Sequence, residues 1–332
     1  MSCALLLAAA AAAATRPHYG GTLRVEIRES YATPDPPQTG PTLGQLPPGF
    51  APAQWDAPGH AIYSAEEKAP GGRPFLDAVE IQMGRRPGDQ TIDLDLDRAD
   101  VVEIEATEPR RSAAARNRVW SSSPVRLLAL VFGARIEDPR IREGLALAVD
   151  RTAIHNVLLQ RQGEISGGLL PQWLSGYAFL FPAAQDVARA RALVAAAPPA
   201  ARTLSLAVPD PAHRRIADRI ALNARDVGLA LGAAPLNSIA DLRLIEVRIE
   251  SFEPARALAA MAAELGLAEP PRADSPEALY AAERALLEGF RVVPLLHLPD
   301  VYGVNPRVKG APGVSPLGEW RFQNLWLEPA RP

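Results

Sequence analysis

Cysteine is all but missing: Cys3 is the only one in 332 residues, and it sits inside an apolar N-terminal run. That excludes a disulfide framework and leaves no thiol nucleophile in the body of the chain. Histidine is scarce as well. The five imidazoles (His18, His60, His155, His213, His297) never fall at a ligand spacing such as H-x-x-x-H, so the sequence shows no metal site. An excess of one charge is also lacking. The formal net charge is −3, and the pairs Arg85–Arg86, Arg110–Arg111 and Arg214–Arg215 are too short to form a basic stripe. Nucleic acid and anionic membrane are therefore poor partners.

Catalytic signatures fare no better. Ser121–Ser123 has no G-x-S-x-G elbow, and the glycine pairs at 71–72 and 167–168 lack the Lys or Ser/Thr that a phosphate loop requires. Asp93, Asp95, Asp97 and Asp100 invite a calcium loop, but the positions that need Gly and Glu hold Arg98 and Ile104. Alternation with Ile92, Leu94 and Leu96 predicts instead a strand with a solvated edge. The chain reads as a binding protein that needs no cofactor, not as an enzyme.

What is present has a clear order. Residues 1–14, MSCALLLAAAAAAA, are an apolar run too short to span a bilayer, ended by Thr15, Arg16 and Pro17. Small residues before a polar start predict an export signal, although its positive leading region is missing. An alanine-rich terminus with no such role is the alternative. Strands are predicted at 20–27, 78–83 and in two pieces over 91–106, with a turn-rich stretch between the first two. From 122 to about 300 strands and helices alternate, which predicts an α/β unit. VRLLALVF (125–132) is a continuous apolar run suited to a strand covered on both faces. Asp138 and Pro139 open a helix with Ile141, Leu145 and Val149 on one stripe. Asp150 caps a second helix, with Ile154, Val157 and Leu158 expected inward.

Several of these segments, in this order, resemble family 5 extracellular solute-binding proteins, the peptide/nickel-type receptors of ABC importers. The strongest match is LALVFGARIEDPRIREGLALAVDRTAIHNVLLQRQGE (128–164). RPHYGGTLRVEI, GGRPFLDAVEIQM, DRADVVEI, GGLLPQWLSGY, DVARARALVAAA, the stretch from LYAAERALLEGF to NPRVKG, and WRFQNLWL follow the same family order. The resemblance implies a two-lobed periplasmic-binding-protein-like α/β fold (type II, cluster C). The family's large insertion between the first strand and the GGRPFLD segment is replaced here by about forty residues, so the usual additional subdomain is expected to be largely missing. Residues 20–121 plus 302–328 would form one lobe and 122–301 the other. Proline-containing crossings at 119–124 and 299–304 would act as hinges.

The resemblance also implies a ligand held between the lobes. In peptide-binding relatives a carboxylate four residues before a proline holds the ligand's amino terminus, and Glu250 stands at that offset from Pro254 in RIESFEP. An exposed strand end is the alternative for Glu250. Arg248 and Ser251 are weaker candidates on the same edge. Tyr31 and Thr33 lie in the stretch that would offer backbone to an extended ligand, and Trp120 and Trp173 could line a pocket or equally belong to a core. The expected protein is an exported, periplasmic or extracytoplasmic monomer that delivers a small solute, peptide among them, to ABC permease subunits. A family member that no longer transports, serving as a sensor or interaction module, is the rival reading.

Overall fold

A computed structural model describes residues 16–28, 48–104, 118–178, 180–234 and 239–328. The expected export signal, Tyr31 and Thr33 lie outside the described residues. The chain runs β1 (Thr22–Glu26), β2 (Gln54–Ala57), β3 (His60–Ser64), β4 (Ala78–Gln82), α1 (Pro87–Asp95), β5 (Val101–Glu103) and β6 (Arg118–Phe132). It continues through α2 (Pro139–Ala148), α3 (Arg151–Ala153), β7 (Glu164–Ile165), α4 (Gln172–Ser175), α5 (Val187–Ala196), β8 (Thr203–Ala207) and α6 (Arg214–Asp226). It closes with β9 (Ala230–Ala233), β10 (Leu242–Arg248), α7 (Pro254–Glu264), α8 (Pro276–Leu287), β11 (Val292–Val304), β12 (Val308–Lys309) and β13 (Trp326–Leu327).

One mixed sheet runs in the order β2-β3-β4-β1-β5-β11-β6-β10-β8-β9, with β7 on a side of β11. Its two longest strands, β6 and β11, lie antiparallel at the centre, the end of β11 (Tyr302–Val304) pairing β5 and the later part of β6 (Arg126–Phe132) pairing β10. Around their first and last residues respectively, β1, β3 and β4 build a core with Leu23, Phe50, Tyr63, Ile81, Trp120, Tyr302 and Phe322. Around their other ends, helices cover both faces. On one face Leu128, Leu130, Leu242 and Leu244 meet Ile141 and Leu145 of α2, Val194 of α5 and Ile216 and Ile220 of α6. On the other, Val125, Leu127, Ala129 and Val247 meet Leu258 and Met261 of α7 and Leu279 and Ala282 of α8. Each such fully buried aliphatic side chain contributes roughly 1.5–3 kcal/mol of hydrophobic stabilisation.

The caps follow the sequence. Asp138 accepts a bond from Arg140 N, with Pro139 in the first helical turn, and Asp150 accepts one from Ala153 N. Two expectations fail locally. The first alternating piece of 91–106 is helix α1, with Gln90, Asp93 and Leu94 buried on its inner side and Ile92 and Leu96 exposed. Its Asp93 meets Arg85, and Asp97 has left-handed backbone (φ 58°), so the aspartates do not share a strand face. Val157 points to solvent (71% exposed) because Ile154–Leu158 forms a π turn, closed by Leu159 N to Ile154 O at 3.0 Å. The wider turn rotates Val157 off the inward stripe that an α-helix would have given it.

Candidate functional site

The central strands are irregular where they leave one core for the other. The register of β11 against β6 shifts between Pro294 and Leu296, between Leu298 and Pro299, and again between Pro299 and Val301. Proline supplies no N–H to a ladder, so each break is local in origin. Pro124 of β6 faces Pro299 there. Both stretches that the sequence marks as crossings are therefore strand, paired to each other.

A seam of charge fills this irregular zone. Arg126 of β6 donates from Nη1 to Glu246 Oε1 on β10 at 2.6 Å and from Nη2 to Pro299 O at 2.8 Å. Its Nε lies 3.0 Å from Asp300 Oδ1 without the alignment of a hydrogen bond. His213 Nε2 stands 3.0 Å from the other Glu246 oxygen. Arg248 closes the seam with a two-pronged contact to Asp300, 3.0 and 2.7 Å, and a bond of 2.8 Å to Leu317 O. Asp300 N donates to Ser122 Oγ at 2.8 Å. Forked guanidinium–carboxylate contacts of this kind are strong and fix geometry.

The electrostatics match. Burial alone would push the Glu246 carboxyl up, but the fields of Arg126, His213 and Arg28 overcome it and hold the group at about 2. Burial likewise opposes the charge on Arg126, and Glu246 and Asp300 more than compensate, so its guanidinium is held more firmly than usual. Arg28 and Glu103, from the ends of β1 and β5, reach this field from the opposite core, and Arg28 N donates to Glu103 Oε2 at 2.7 Å. Both seam carboxylates are taken up by guanidinium donors. These contacts brace the strands against one another.

The structure separates the residues that the sequence groups together. Arg248, expected at the ligand, is engaged by Asp300 and by Leu317 O. Gly318 shows how tight this is: at φ +84°, a Cβ there would collide with Asp300 Oδ2 and Arg248 Nη2. Trp120 is 5% exposed and packs in the core against Gly313. Ser251 accepts a bond of 3.0 Å from Glu253 N and so shapes the turn into α7. Glu250 is exposed just past the end of β10. Two residues on, the half-exposed Phe252 ring meets Trp173 edge to face at 6.3 Å, and Trp173 Nε1 donates to Pro124 O at 3.0 Å. Trp173 thus bridges α4 and the irregular part of β6 beside the Glu250 turn.

Sequence reasoning missed Arg126, Glu246, His213 and Asp300. For Arg126, Glu246 and Asp300 the signal was present: charged residues inside apolar strands, in VRLLALVF, DLRLIEVRI and HLPDVY; His213, in the turn before α6, carried none. A charge in such a run needs a buried partner.

The family profile of bacterial extracellular solute-binding proteins, family 5 middle, matches residues 24–281. The chain belongs to that family. Solved structures agree in fold. The ABC transporter substrate-binding protein CtaP of Listeria monocytogenes superposes with a TM-score of 0.71 at 14% identity, over 84% of this chain and 66% of that one. The oligopeptide-binding protein AppA of Bacillus subtilis, solved with a nonapeptide, gives 0.64 at 13%, over 84% and 66%. NikA of Staphylococcus aureus, solved with Ni(L-His)2, gives 0.67 at 13%, over 84% and 68%. This family 5 chain thus spans about two thirds of the length of the solved proteins it matches. No curated protein sequence matches it.

Proposed function

We propose that this family 5 protein is the extracytoplasmic receptor of an ABC importer and closes over a small solute, a peptide or similar molecule. Residues 20–121 with 302–328 form one lobe in this reading, and residues 122–301 form the other. The observation that carries it is the joint. Separate cores lie at the two ends of β6 and β11, and those strands are irregular, proline-bearing and charged where they pass between them. A short irregular stretch of two strands absorbs a rotation more easily than a regular ladder does. Ligand contacts made by both lobes only in the closed state would then favour that state, and permease subunits would engage it. The AppA nonapeptide and the nickel–histidine complex of NikA, both held by proteins of this fold, support a small polar solute as the class of ligand.

Within this reading Glu250 is the anchor for a ligand ammonium, and the Trp173–Phe252 pair beside it offers apolar surface. Calorimetric titration after a thermal-shift screen of short peptide pools tests both levels. Glu250→Gln should weaken free peptides about tenfold, the scale of one charge-assisted bond, and leave N-acetylated peptides unchanged. Equal affinity of the unaltered protein for free and acetylated peptides would remove the anchor while leaving the receptor role intact. No stabilisation by any peptide or other small solute would remove the receptor role itself.

A further inference from the structure

The sheet ends at β9, a four-residue strand (ALGA) whose only strand neighbour among the described residues is β8. Its outer N–H and C=O groups form an open row of the kind that another chain can extend. Beside it α6 turns Ile216, Ile220 and Ala224 to the core and a second stripe outward: Asp218, Ala221, Leu222 and Arg225. That stripe and the strand bound an open groove of about 870 Å³, with Leu231 and Gly232 on its strand side. Leu222 is 44% exposed, and nothing stands within 4 Å of a Cβ built on Gly232. No ion pair to a described residue is seen for Asp218 or Arg225.

The charges choose the occupant. Asp218 and Arg225 sit seven residues apart on one helical face, opposite in sign, with Leu222 midway between them. A second copy related by a two-fold axis across the sheet edge would lay its α6 antiparallel to the first. Each Asp218 would then face the other copy's Arg225, twice over, with the two Leu222 side chains meeting on the axis. Such self-complementarity is what a two-fold interface requires. We propose that α6 and β9 form a homodimer interface, with β9 pairing antiparallel to its symmetry mate so that the sheet continues through both copies. This departs from the monomer that the sequence suggests, and it is independent of the ligand reading. One helix stripe and one short strand per copy make a small interface, so the dissociation constant falls in the micromolar range.

Sedimentation equilibrium from about 1 to 200 µM spans the range in which so small an interface dissociates. The unaltered protein should show a monomer–dimer equilibrium. Asp218→Arg and Arg225→Asp should each weaken it about tenfold by setting like charges opposite each other, and the double exchange should restore it. All are surface changes, and unaltered thermal melts confirm folding. Leu222→Cys in a Cys3→Ala background should form a disulfide-linked dimer under mild oxidation. A monomer at every concentration overturns the proposal. So does a dimer indifferent to both charge reversals, or a double exchange that fails to restore what the single changes lose.

Discussion

Gly318 shows what a single backbone position contributes to the seam. Its left-handed conformation lets the loop around Leu317 approach Arg248 and Asp300 without a side chain in between. Any L-residue there is strained by its backbone as well as by contact. Gly318→Ala should lower unfolding stability by about 1–3 kcal/mol in urea titration, the combined scale of left-handed strain and a crowded contact. A change within a few tenths would mean the loop simply moves away, and that Arg248 does not depend on it. Glu250 is the opposite case. Exposed at a strand end, it should cost little stability when changed, and its removal should be read in binding alone.

At the scale of elements, α8 holds the stretch leading into α4 through one buried carboxylate. Glu283 accepts bonds from Leu169 N, from Leu170 N at 3.2 Å and from Tyr177 OH at 2.5 Å. Burial nonetheless dominates these donors and pushes the carboxyl up to about 7. Because the folded value lies above that of the unfolded chain, the native state binds the extra proton. That stabilisation is complete below about pH 4.5 and is lost as pH rises through 7. Nearby, burial holds His297 down to about 4, with its Nε2 at 2.7 Å from Leu169 O. Its contribution runs the other way, present above pH 6.5 and lost as pH falls through about 4. Between about pH 4.5 and 6.5 the two contributions oppose each other, so Glu283→Gln should remove the falling one and make unfolding free energy rise more steeply with pH there, with the His297-dependent acid limb left in place. An unaltered pH profile would show that Glu283 titrates as an ordinary carboxylate.

How much of this was legible differs by element. Strands with uniform apolar character and helices with clear caps could be read directly: β6 around Leu127–Val131, and α2 behind Asp138. Helix α1 could not, because its Asp-Leu alternation imitates a strand while Pro87 and the burial of Asp93 against Arg85 decide otherwise. The π turn after α3 could not either, since the run Val157-Leu158-Leu159 offers an apolar side chain to either phase of the stripe. For the site, residue types were visible and pairings were not. Glu250 and, more weakly, Arg248 are candidates in sequence; Asp300, arriving from β11 fifty-two residues on from Arg248, engages Arg248 while Glu250 stays exposed.

At the scale of the whole molecule, everything turns on the stretch where β6 and β11 pass from one core to the other. The seam is nearly charge-balanced there, with two carboxylates against two guanidiniums and an imidazole. Such a brace sets geometry more than it adds stability, because desolvation offsets much of the attraction. In the proposed reading it gives the strands a defined rest position from which they bend on closure. The direct test is small-angle X-ray scattering of the protein, at concentrations where sedimentation shows a monomer, with and without a saturating amount of the solute that stabilises it most in the thermal-shift screen. A compact chain of this length has a radius of gyration of roughly 20 Å. The account predicts a value for the free protein that falls on saturation, with the scattering curve moving toward a closed, narrower particle. Saturation with no change in the curve would mean that the strands do not bend and that the solute is held without closure.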